Sequence, residues 1–162
     1  MANTVTWYGR RFERVVNTSL GRAMANIGMM QAAHVKRSMV SAPSTPGGPP
    51  AVITGSYVRS IGWAVKRSLL KRTFTARVGT NDKRGPWLEL GTGSRAEGGG
   101  SPYLIKAKGG GTLRFIGRDG GVVFAKSVMH PGIYPRPHFR PALYVTGKIA
   151  LSILQSAARG KL

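Results

Sequence analysis

The chain has 162 residues, of which 41% are hydrophobic, a size that fits one domain able to bury a real core. It has no Cys, which removes disulfides, thiolate nucleophiles and Cys-based zinc sites together. Twenty-five Lys and Arg face only five acids (Glu13, Asp82, Glu89, Glu97 and Asp119), and the resulting net charge of +20 predicts a polyanionic partner, either nucleic acid or a strongly acidic protein.

Met1 to Arg14 has no apolar central region, so no signal peptide is expected. No stretch approaches the roughly 20 apolar residues of a membrane span. Phe12 to Met39 reads as a helix, with Phe12, Val16, Leu20, Ala23, Ile27, Met30 and His34 at spacings of three and four. Gly21 and Gly28 weaken that helix by up to about 1 kcal/mol each relative to Ala and suit close approach of another backbone.

Ser41 to Pro50 holds Pro43, Pro46, Pro49 and Pro50 with Gly47 and Gly48, a composition that continues neither helix nor central strand and predicts an exposed, extended loop. Thr54 to Ile61 reads as a turn and a short helical piece. Trp63 to Lys66 and Arg72 to Gly79 read as strands; in the second, Phe74, Ala76 and Val78 alternate with Thr73, Thr75 and Arg77. Lys66, Arg67, Lys71 and Arg72 surround the connection and make a basic hairpin.

Pro86 to Thr92 is short and apolar, open between strand and helical turn. Gly93 to Gly111 is Gly-rich, carries Lys106 and Lys108, and reads as a mobile loop. Thr112–Ile116 and Val122–Lys126 read as a hairpin joined by Arg118-Asp119-Gly120-Gly121. Ser127 to Pro137 reads as irregular. The final helix is expected from Phe139 to Ala158, with a core stripe of Leu143, Gly147, Ala150 with Leu151, and Leu154, beside Ile149 and Ile153; Pro141 suits its first turn. The expected fold is α+β, an antiparallel sheet of about four strands packed by a long N-terminal and a C-terminal helix. Residues 1–162 form a single domain in this reading, with long loops at about 41–53 and 93–111.

Four stretches in order carry a resemblance: Gly48-Pro49-Pro50 followed by Thr54-Gly55 and Ser60-Ile61; Leu88 to Thr92, with Glu89 and Gly91; His130-Pro131-Gly132; and Pro135 to Leu143, with Arg136, Pro137, Phe139, Arg140 and Pro141. Together they resemble the head–tail connector or tail-completion (neck) proteins of long-tailed double-stranded DNA bacteriophages, including the virion-morphogenesis type. The likeness runs over nearly the whole chain. It departs from the pattern at His138, which adds a residue between Pro137 and Phe139, and in a longer Gly-rich insertion before the last hairpin.

The resemblance implies a structural virion protein in the neck or tail, assembled in the host cytoplasm. It implies a homo-oligomeric ring of six or twelve subunits, with portal-side or tail-tube proteins as partners and DNA passing through the channel. No membrane partner or cofactor is implied. Basic residues fit such a channel, since contacts to phosphate position DNA without reading its sequence. Lys66, Arg67, Lys71, Arg72, Lys106 and Lys108 are the candidates. Ser41–Pro50 and Gly93–Gly111 are candidate arms reaching a neighbouring subunit, as a head-to-tail ring requires.

No catalytic constellation is legible. His34, His130 and His138 lack metal-ligand spacing, and Ser56 and Ser60 lack a nucleophile-elbow context. Glu89 is expected to pair with Arg136 or Arg140, because an unpaired buried carboxylate is costly. Trp63 and Trp87 are expected in the core, and Trp7 and Tyr8 as interface anchors. The competing reading is a freestanding basic nucleic-acid-binding module, which accounts for the charge but not for the ordered motifs.

Overall fold

A computed structural model describes residues 9–41, 47–68, 73–117 and 119–159, with backbone alone for 9–16, 40 and 41. Trp7, Tyr8, Pro43, Pro46, Lys71 and Arg72 lie outside the described residues. The chain folds into two compact units, one from segments 1–44, 51–82 and 138–162, the other from 45–50 and 83–137.

The first unit is built on α1 (Gly9–Ser38), 30 residues or about 45 Å long. Lys36 and Arg37 sit in its last turn, where cations complement the helix dipole. The buried face is Ser19, Ala23, Ile27, Gly28, Ala32, Val35 and Met39. Ala23 and Ile27 lie on the expected stripe, but Val35 rather than His34 continues it, because 3.6-residue periodicity leaves neighbouring positions nearly equivalent over five turns. Two short strands, β1 (Val40–Ser41) and β2 (Ala51–Val52), pair in parallel.

α2 (Ser56–Ser60) leads into an antiparallel hairpin of β3 (Ile61–Ser68) and β4 (Thr73–Thr80), in register from Ile61 opposite Thr80 to Ser68 opposite Thr73. Phe74, Ala76 and Val78 are the half-buried residues of β4, as their alternation predicts. α1 packs against both strands and against α4 (Phe139–Ala158). Gly21 and Gly28 admit aromatic rings rather than another backbone: a Cβ at Gly28 would stand 3.2 Å from Trp63 Cε3, and one at Gly21 3.5 Å from Phe74 Cε1.

α4 follows its expected limits, but its buried face differs from the expected stripe. Ala142, Thr146 and Ala157 are buried, whereas Leu143, Tyr144, Val145, Ile149 and Leu151 are exposed. Small residues let α1 approach closely, and the large apolar ones are left on the other sides of the helix.

The second unit begins with α3 (Arg84–Leu90), so the ambiguous apolar run is helical. The Gly-rich segment is not one long loop. It contains two single 3-10 turns and β5 (Tyr103–Lys106), which pairs antiparallel with β8 (Ser127–His130), itself inside the segment expected to be irregular. Four-residue strands flanked by Gly and Pro give too few alternations to register in sequence. β6 (Leu113–Ile116) and β7 (Val122–Ala125) form the expected hairpin; Gly120 takes φ 83° and Asp119 Oδ1 accepts from the Gly121 N–H at 3.2 Å.

The fold is therefore mixed α+β, but the expected four-stranded sheet is replaced by separate two-stranded pairs. Among the described residues, the buried apolar side chains other than Pro50 belong to the first unit. The second unit rests on half-buried residues such as Ile105, Leu113, Phe115 and Val128.

Candidate functional site

In the second unit, Leu88 to Arg95 and His130 to Arg136 lie across one another and are joined by direct bonds. The Thr92 N–H donates to the Ile133 carbonyl (3.0 Å), and the Ile133 N–H donates back to Thr92 Oγ1 (3.1 Å). The Arg136 N–H donates to the Leu88 carbonyl (2.6 Å). The Ser94 hydroxyl reaches the Pro131 carbonyl at 2.8 Å, and Arg95 stacks over the Tyr134 ring at 4.6 Å.

This crossing is too tight for a side chain at Gly91, Gly93 or Gly132; at Gly93 (φ 62°) a Cβ would stand 2.6 Å from the Pro131 carbonyl oxygen. A Cβ at Gly91 (φ 75°) would stand 2.7 Å from the Ile133 carbonyl oxygen and 2.9 Å from Pro135 N. One at Gly132 (φ 100°) would collide with the Thr92 carbonyl. Gly is required at all three by conformation and by space. His130 braces the turn: its Nδ1 accepts from the Gly132 N–H at 2.9 Å, and its ring stacks on Tyr103 with centroids 5.4 Å apart.

Glu89 is buried on α3, one residue from the Leu88 carbonyl that receives Arg136. Trp87 on the same helix is 54% exposed and Trp63 is 42% exposed, so neither is the core residue expected of it. Trp63 instead lies against α1 at Gly28 with one edge in solvent.

In the first unit, Thr54 and Gly55 start α2: the Ser56 N–H approaches Thr54 Oγ1 (3.4 Å), and the Arg59 N–H donates to the Gly55 carbonyl (3.0 Å). α2 carries Tyr57 inward, where its hydroxyl bonds His138 Nε2 at 2.6 Å. His138 is the largest fully buried side chain among the described residues, 1% exposed, and its ring also stacks on Phe139. A relay of hydroxyls links the same helix to β4. The Asp82 N–H donates to Thr80 Oγ1 (3.0 Å), Thr80 bonds Ser60 Oγ, and Ser60 donates to the Tyr57 carbonyl (2.7 Å). Tyr57 and Thr80 carried no motif signal, and their roles follow only from the fold.

The candidate channel cations separate. Lys66 and Arg67 are exposed on β3, but successive strand residues point to opposite faces, and Arg67 turns over the Phe74 ring at 5.7 Å. Lys106 on β5 and Lys108 in the following 3-10 turn are exposed. Of the loop arms, Gly47 is exposed while Pro50 is buried.

Among the described residues, no group of three or more His, Cys, Asp or Glu is placed to hold a metal ion. No helix among them is long and apolar enough to cross a membrane. Comparison with protein-family models, with curated proteins and with solved structures finds no match.

Proposed function

We propose that the chain is a structural subunit of the head–tail interface of a tailed double-stranded DNA phage, acting in tail completion or head–tail joining and forming or joining a ring around the DNA channel. The observation that carries this reading is the crossing of Leu88–Thr92 with His130–Arg136, joined through Thr92, Ile133 and Arg136. Leu88–Thr92 thus meets both His130–Gly132 and the start of Pro135–Leu143, so three of the four stretches behind the resemblance share one contact. The fourth, with Thr54-Gly55 and Ser60, is tied through Tyr57 to His138 at the start of α4. Unrelated short motifs have no reason to meet in this way.

The surface supports a subunit. α4 carries large apolar side chains on several sides, and among the described residues Leu143, Tyr144, Val145, Ile149 and Leu151 stay exposed while Ala142, Thr146 and Ala157 are buried. In the second unit Ile116 and Phe124 are 75% and 64% exposed on a two-stranded pair, which is marginal without a covering partner. Patches of this kind mark protein–protein contacts.

The charge would suit a freestanding nucleic-acid-binding module equally well, but that reading leaves the uncovered face of α4 without a use. Negative-stain imaging of the purified chain tests the proposal. Annular particles are expected; particles no larger than a monomer at all concentrations would count against it.

A further inference from the structure

The β3–β4 hairpin has two unlike faces. Trp63, Val65, Arg67, Phe74, Ala76 and Val78 share the one that meets α1. The other carries Gly62, Ala64, Lys66 and Ser68 on β3 and Thr73, Thr75, Arg77 and Gly79 on β4. Apart from the half-buried Ser68 at the end of the pair, all of these are exposed. Among the described residues this face holds two cations, three hydroxyls, no acid and no apolar side chain larger than Ala.

Register places Lys66 opposite Thr75 and Arg77 opposite Ala64, so the two cations are diagonal neighbours, about 7–8 Å apart at the backbone. That is within the Debye length of about 8 Å at physiological salt, so each feels the other's charge. At the end nearer α2, Gly62 stands opposite Gly79, and a Cβ on either would meet nothing within 4 Å. A shallow depression of about 350 Å³ lies there, lined by Gly62, Trp63, Ala64, Arg77, Gly79 and Asn81 among others.

We infer that this outer face of the hairpin binds the sugar-phosphate backbone of duplex DNA, with Lys66 and Arg77 on phosphates and Thr73 and Thr75 as hydroxyl donors. Lys, Arg, Ser and Thr are the side chains that contact phosphate, and the open glycine pair lets a backbone come close. A protein partner needs a buried aromatic or aliphatic anchor, and this face offers none. Among the described residues no aromatic side chain is in register on this face, Trp63 belonging to the helix side, so it offers no platform for unstacked bases, and binding is to duplex and independent of sequence. Arg67, adjacent in sequence to Lys66, is excluded because it points to the helix side. The inference rests on the reading that DNA is the polyanion this chain meets.

The test is the salt dependence of binding of the full chain to a labelled duplex, followed by fluorescence anisotropy. Each lost phosphate contact lowers the slope of log K against log salt by about 0.9, so Lys66→Gln/Arg77→Gln should flatten it by about 1.8. Arg114→Gln/Lys126→Gln, at two exposed cations of the second unit, should leave the slope unchanged, and thermal melting should show all variants folded. A wild-type slope in Lys66→Gln/Arg77→Gln overturns the assignment, as does no binding of duplex by the wild type. Polyglutamate competing as well as DNA at equal charge would assign the face to an acidic protein and also overturn it. Particle size measured on the same samples separates the two ideas: rings with an unaltered slope sink the face alone, and a monomer with the flattened slope sinks the neck reading alone.

Discussion

The Tyr57 hydroxyl and His138 Nε2 stand 2.6 Å apart in the interior, 81 positions apart in sequence. His138 is the residue that interrupts the expected Pro-x-Pro-Phe pattern, and it serves as the internal anchor for the start of α4. Tyr57→Phe removes the hydroxyl from a buried partner and should cost about 1–3 kcal/mol. At roughly 2–4 °C per kcal/mol, thermal melting resolves the loss. His138→Ala should cost more, because it also removes a packed ring. A wild-type denaturation midpoint for His138→Ala would contradict the anchoring role.

Gly91→Ala and Gly132→Ala each place a Cβ against backbone atoms that a neighbouring rotamer change cannot clear. Each should destabilise by more than about 2 kcal/mol, with Gly132→Ala the worse. Hydrogen exchange should show the damage in α3, β5 and β8, with α1 and α4 still protected. Uniform loss of protection over the whole chain would show that the crossing is not a local unit.

Gly28 faces Trp63 across a gap that accepts one methyl group with a shift of a few tenths of an ångström. Gly28→Ala gains up to about 1 kcal/mol of helix propensity, which offsets that shift, so stability should change little. Gly28→Val overfills the contact and should lose about 1–3 kcal/mol, with an altered Trp emission. Equal stability of the two variants would mean that Trp63 does not rest there.

Tyr144 and Leu151 lie seven residues apart on α4, directly opposite its buried face, and are 71% and 61% exposed. Tyr144→Glu/Leu151→Glu should leave the fold within about 0.5 kcal/mol of wild type, as exposed substitutions do. Sedimentation should show the assembly dispersed. An assembly of wild-type size would remove this face from the subunit contacts.

Much of the fold was legible where patterns are long. The limits of α4 and the inward face of β4 follow from periodicity, because Phe74, Ala76 and Val78 alternate cleanly. What failed did so for physical reasons. α4 is apolar on several sides, so periodicity alone could not choose Ala142 and Thr146 over Leu143 and Leu151 as the buried face. β5 and β8 are too short, and too rich in flanking Gly and Pro, to be read as strands. Lys66 and Arg67 formed one basic cluster in sequence and separated only when the pleat put them on opposite faces. His138 stood out in sequence only as an interruption of a motif and Tyr57 not at all, since their relationship exists only across the fold.

The most direct test of the neck reading is the native mass of the purified chain, taken at low and high salt, with and without DNA. A closed ring, hexameric or larger, present without DNA and persisting at high salt, is the predicted result. A monomer that binds DNA and releases it as salt rises would contradict the account and leave a basic nucleic-acid-binding module in its place.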